Sequence, residues 1–179
     1  MTAHHAAALI ARDRNRLLLA AGCAPLLPAA TNLGTAGLTA LAYIATVLVG
    51  AGVSRVMPRS VEDRTTTIVV MLSIGLLVGA LLQGLYATSY ALAIKLEITW
   101  SLLIVNPLPY AVSMRVGAGQ HDRAPTVWSG AIVPAIVLLT VAGIAFGLDW
   151  LGVQSTQPAV LFFSAGLALA VLYAVADRR

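Results

Sequence analysis

Few residues in this chain are of types that could do chemistry. Cys23 is its single cysteine. It stands in Gly22-Cys23-Ala24-Pro25-Leu26-Leu27-Pro28, inside an apolar run. A thiolate beside a helix break faces unpaired backbone N–H groups and the positive end of a helix dipole, which favour its charged, metal-binding form. Iron–sulfur clusters are usually held by four such thiolates, so one cysteine supplies a quarter of that cage. Cys23 is therefore a candidate metal or iron–sulfur ligand, and equally a small buried hydrophobe. Asn106 lies in a second stretch of the same kind, Val105-Asn106-Pro107-Leu108-Pro109-Tyr110. It and Thr31-Asn32, which follow Pro28, can repair carbonyls freed where prolines break a helix. Gln83, far inside another apolar run, reads as a hydrogen bond between helices.

The absences are as informative. No Asp, Glu, Lys, Arg or His falls in the middle of an apolar run. Proton relays and cation pathways through a membrane normally carry such groups. His4 and His5 are near the start, and His121 is in a polar connection. No phosphate-binding glycine loop, metal-ligand cluster or nucleophile triad is visible, so no catalytic residue is assigned. One cysteine also excludes an internal disulfide.

The elements that must position these residues are membrane helices. Of the 179 residues, 59% are hydrophobic and 10% charged, against about 25% charged in an ordinary soluble domain. The mean hydropathy is +0.89. The net charge of +4 is not a nucleic-acid signal, because the basic residues sit in short connections between apolar runs. There, positive charge sets orientation. The N-terminal residues carry Arg12, Arg14 and Arg16 ahead of the first run and show no secretory signal pattern.

Six segments follow: Leu17–Thr35, Ala36–Met57, Thr66–Ala93, Ile98–Met114, Val127–Leu151 and Ala159–Ala176. About 20 apolar residues cross the hydrocarbon core of roughly 30 Å. The first segment is interrupted by Pro25 and Pro28, the fourth by Pro107 and Pro109, and both are marginal in length. The chain divides into a cytoplasmic tail (1–16), one six-helix transmembrane domain (17–176) and a short cytoplasmic end (177–179). With six spans, ten of the eleven Lys and Arg fall on one side, and only Lys95 on the other. Basic residues in short loops stay cytoplasmic, so both termini are expected there. Trp100, Trp128 and Trp150 fall at segment ends, where indole rings sit at headgroup level. Gly50, Gly52, Gly75, Gly79 and Gly84 read as close helix packing.

The order broken–long–long occurs twice, with an offset of 82 residues from Pro25 to Pro107. Three helices per half is an odd number, so the second half enters from the opposite face. The expected fold is all-α, six transmembrane helices in an inverted 3+3 repeat, with the first and fourth helices broken by prolines. Paired interruptions of this kind mark sites near the bilayer midplane. Broken backbone survives at that depth only where protein or a cavity covers it.

Several stretches carry a family resemblance. Gly22-Cys23-Ala24-Pro25-Leu26-Leu27, Ala30-Thr31-Asn32-Leu33-Gly34, Gly37-Leu38, Arg55-Val56-Met57-Pro58, Leu103-Ile104-Val105-Asn106 and Gln157-Pro158-Ala159 occur in order. Their order and spacing resemble the six-helix membrane subunits of the Rnf and Nqr electron-transport complexes, most closely the RnfE/NqrD branch, over about residues 15 to 177. The resemblance implies a subunit of a redox-driven, ion-translocating oxidoreductase in the bacterial cytoplasmic (inner) membrane. It implies an inverted homologous partner subunit, further subunits bearing flavin and iron–sulfur centres, and a 2Fe–2S cluster held at the midplane by cysteines from both broken helices of two subunits. The chain departs from that pattern. Aligned on Pro25-Leu26-Leu27, the family's first cysteine falls on Ala24, one residue after Cys23, and no cysteine occurs in Pro107–Tyr110. The usual cage is incomplete in this chain: the cluster is absent or held differently, or the subunit's retained role is structural. The alternative reading, a small transporter or channel-like protein with no redox role, uses the same broken helices.

Overall fold

A computed structural model of the chain describes residues 22–58, 61–117, 123–152 and 158–176. Among the described residues the structure is all-helical. A 3-10 helix, η1 (Ala24–Thr31), precedes six α-helices: α1 (Leu33–Val56), α2 (Asp63–Thr88), α3 (Tyr90–Ile104), α4 (Pro107–Gly117), α5 (Arg123–Trp150) and α6 (Pro158–Ala176). Three stretches, in α1, α2 and α5, are long and apolar enough to cross a membrane; α3 and α4, bent by 41° at their junction, make a fourth if taken as one span.

Local sequence sets these boundaries. Asn32 is extended (φ −150°, ψ 159°), and its side chain accepts a hydrogen bond from Thr35 N at 2.8 Å, which caps α1. Pro58 lies just past the other end, where proline cannot continue a helix. Glu62 and Asp63 stand at the start of α2, favourably placed at its positive dipole end. Ser89 alone separates α2 from α3: its N–H donates to Leu85 O at 2.7 Å and its carbonyl accepts from Ala93 N at 3.0 Å. Across that tight turn the Tyr86 and Tyr90 rings are 5.7 Å apart. The expected loop around Lys95 is therefore helical, with Lys95 and Glu97 exposed on α3. Apolar content alone carried the third segment four residues past its turn.

Helix α1 is the hub. It packs on η1, α2, α3, α4 and α5. Its inward face is small or hydroxylic: Ala36, Thr39, Ala40, Tyr43, Thr46, Val47, Gly50, Ala51 and Ser54 are all buried. Small side chains let neighbouring backbones approach, which drives helix association where lipid removes the usual hydrophobic force. A methyl group added at Gly50 would run into Ser113 Oγ, and one at Gly130 into Val112 Cγ2. So α4 sits between two glycine notches, one on α1 and one on α5. The buried Tyr43 hydroxyl donates to Gly130 O at 2.9 Å and ties α1 to α5. Half of α1's apolar stretch is buried, against 17% of that of α2, which is peripheral.

Two expectations change. Trp100 is not at a rim: it is 4% exposed, and its Nε1 donates to Thr39 Oγ1 at 3.0 Å in the core. Trp128 and Trp150 are exposed. Of the glycines read as packing sites, Gly50 is one; Gly52, Gly79 and Gly84 have no side chain or other backbone segment within 4 Å of an added methyl group.

Candidate functional site: the junction of the two proline-bearing stretches

The two stretches that stand out in sequence meet in the core. Asn106 is fully buried. Its Nδ2 donates to Gly22 O at 2.8 Å across 84 residues of chain. Its Oδ1 accepts from Leu108 N at 3.0 Å. A methyl group on Gly22 would lie 2.7 Å from Leu108 Cβ, so only glycine fits this approach without movement. The junction is near mid-length of the 26-residue α2: a methyl group on its central Gly75 would lie 3.8 Å from Ile104 Cγ2.

The prolines make sense as chemistry of the helix end. The first four N–H groups of a helix have no intrahelical partner. In α4 two of those four residues, Pro107 and Pro109, have no N–H at all. Asn106 caps Leu108, one of the two that do. On the other side of the break the carbonyls at the end of α3 need donors. Asn106 N donates to Leu103 O at 3.3 Å, and the Tyr110 hydroxyl donates to Ile104 O. Ser113 Oγ donates to Pro109 O at 2.7 Å within α4. The first stretch follows the same logic. Pro25 sits at the start of η1 and Pro28 inside it. Thr35 Oγ1 donates to Ala29 O at 2.6 Å, and Asn32 caps α1. Asn106 and Asn32 thus occupy backbone-repair positions. Asn106 is buried; Thr31 and Asn32 are exposed.

Cys23 immediately precedes η1, 3% exposed, within the apolar core that includes Leu26, Leu27 and Tyr43. Pro109 is buried beside the junction, Pro25 half-buried, and Pro28 and Pro107 exposed. Gln83 is exposed on α2 and bonds to no other helix among the described residues. His4, His5 and His121 lie outside the described residues. Sequence reasoning missed Gly22, Leu108 and the Tyr110 hydroxyl. A hydroxyl within one turn of a helix-breaking proline is the signal that would have found Tyr110.

These residues do not fit the four-thiolate cage that the resemblance implies. Cys23 is the only cysteine, and no group of three or more His, Cys, Asp or Glu able to hold a metal occurs among the described residues. In Pro107–Tyr110, where the resemblance would put a second cysteine, Leu108 packs against Gly22, and the neighbouring Asn106 is committed to backbone. The junction can hold broken backbone in an apolar setting; the one thiol beside it, Cys23, is buried among apolar side chains. Compared with known proteins, the chain matches no protein-family model, no curated protein and no solved structure.

Proposed function

We propose that this chain is an integral membrane subunit of an Rnf/Nqr-like, redox-driven, ion-translocating electron-transport complex, and that it frames the complex without carrying a complete redox centre. In this reading it has six spans in an inverted 3+3 repeat. It sits in the bacterial inner membrane with both termini cytoplasmic. It packs across its two breaks against an inverted homologous subunit, alongside subunits bearing flavin and iron–sulfur centres.

The observation that carries the reading is the buried bond from Asn106 to Gly22, which joins the two proline-bearing stretches at mid-length of α2. The packing order supports the repeat. If η1, α1 and α2 answer to α4, α5 and α6, the packing of α4 on α1 answers to that of η1 on α5. Likewise α2 on α1 answers to α6 on α5, α4 on α5 to η1 on α1, and α2 with α4 to α6 with η1, while α1 and α5 meet at the centre. Lengths agree too. The 8 residues of η1 rise about 16 Å at the 3-10 pitch, and the 11 residues of α4 about 16 Å at the α pitch, each half of the roughly 30 Å core. The link to electron transport rests on the sequence resemblance. No charged residue is among the described residues that are buried, which weighs against a transport path through this chain alone.

The test is to purify the chain with its native companions and measure subunit composition, flavin and iron. Co-purification with a homologous membrane subunit and with flavin- and iron-bearing subunits is expected. A lone, monodisperse chain with neither flavin nor iron in its company would overturn the proposal.

A further inference from the structure

One face of α2 pairs a cation with an apolar groove. Arg64, Ile68, Met71, Gly75 and Gly79 follow at steps of 4, 3, 4 and 4 residues, the spacing of one helix face. Arg64, in the first turn, is exposed. Asp63, one position before it, falls on another face, since each residue turns the helix by about 100°, and Glu62, two before, is the extended residue ahead of the helix. Further along the same face lies an open groove of about 670 Å³, lined by Met71, Leu72, Gly75, Leu76 and Gly79 of α2 and closed on one side by Ile104 of α3. Gly79 leaves open space there, and Leu72 and Leu76 are 63% and 76% exposed. Arg55 in the last turn of α1 and Arg115 in the last turn of α4 bring positive charge to the same end of the bundle. The Thr67 hydroxyl, 3.5 Å from Met114 Sδ, shows how closely α4 approaches the start of α2.

The dimensions fit one kind of molecule. Seven residues separate Arg64 from the mouth of the groove at Met71, about 10 Å along the axis. The groove continues for about 14 Å to Ala80. Half of the hydrocarbon core is about 15 Å. A molecule with an anionic head at Arg64 and a long flexible apolar tail matches the charge; its tail enters the groove at Met71 and must run extended past mid-depth at Gly75 to reach Gly79 and Ala80. A bare phosphate would leave the groove unfilled, and a zwitterionic lipid would gain less from the arginine. We propose that this face is a binding site for an anionic diacyl phospholipid, its phosphate on Arg64 and one acyl chain running past Ile68 into the groove. The proposal rests on the membrane reading of the helices and not on the electron-transport reading.

The full chain, solubilised in mild detergent and stripped of lipid, is offered dioleoyl phosphatidylglycerol, dioleoyl phosphatidylcholine or inorganic phosphate. Bound lipid is counted by native mass spectrometry, and thermal unfolding is followed in parallel. One arginine near an anionic surface is worth about 1 kcal/mol, so phosphatidylglycerol should be retained roughly fivefold better than phosphatidylcholine. Arg64→Gln should abolish that preference, and Arg64→Lys should keep it. Gly79→Leu fills the groove where there is open space and should remove lipid of both kinds while helix content stays the same. Equal retention of the two lipids, stabilisation by inorganic phosphate alone, or full retention in Gly79→Leu would overturn the site. So would loss of a dimer in Gly79→Leu, which would show that a second helix occupies the groove.

Discussion

Replacing Asn106 by Leu tests the junction at its centre. The side chains are of similar size, so little cavity is created and the change is chiefly the loss of two hydrogen bonds. One is the cap on Leu108 N at 3.0 Å; losing an N-cap costs about 1 kcal/mol. The other is the bond to Gly22 O at 2.8 Å. Hydrogen bonds between membrane helices average about 0.6 kcal/mol and reach about 1.7. A buried carbonyl left without any donor costs about 1–3 kcal/mol. The carbonyl penalty already contains the lost bond, so the cap and the carbonyl together make a loss of about 2–4 kcal/mol. The assay is reversible unfolding in mixed micelles with rising dodecyl sulfate, followed by helical circular dichroism and extrapolated to zero denaturant. Thr140→Val is the control: Thr140 is exposed and bonds only to Ile136 O of its own helix, so it should fall within about 0.5 kcal/mol of wild type. If Asn106→Leu is as stable as that control, the junction does not hold the two stretches together and the reasoning fails.

Two further substitutions probe the same core. Cys23→Ala should leave iron content, electron paramagnetic resonance signal and assembly of the purified complex unchanged, because a small buried hydrophobe is replaced by another; loss of an iron–sulfur signal would make Cys23 a ligand. Gly50→Ala should destabilise, since its methyl group would press against the buried Ser113 Oγ and overpacking costs about 1–3 kcal/mol. Gly79→Ala, facing open space, should be neutral or gain up to about 1 kcal/mol from helix propensity; the opposite order of stability would contradict the packing.

The helical class was legible in the sequence because apolar runs of spanning length leave the chain few alternatives. The two breaks were legible because paired prolines in such runs announce themselves. Their meeting was not, since a bond from Asn106 to Gly22 spans 84 residues and depends on how α1, α3 and α4 pack. The turn at Ser89 escaped notice because it lies within a long, mostly apolar run and neither glycine nor proline stands at it. Trp100 was placed at a rim because it falls near the start of the fourth apolar segment. Its ring instead turns inward, because Thr39 on α1 offers an acceptor in the core. The glycine notches at Gly50 and Gly130 could not be told from the open glycines at Gly52 and Gly79 without knowing which helix each one faces.

The central claim is an inverted repeat in a membrane, with α2 and α6 crossing in opposite directions. Single cysteines at the exposed positions Glu62, Ser89 and Leu151, each on a Cys23→Ala background, test it through labelling from one side of the membrane at a time. The account predicts that Glu62→Cys reacts only from the cytoplasmic side, and that Ser89→Cys and Leu151→Cys react only from outside. Labelling of Glu62→Cys and Leu151→Cys from the same side would mean that α2 and α6 start on one face, and the inverted repeat would be gone.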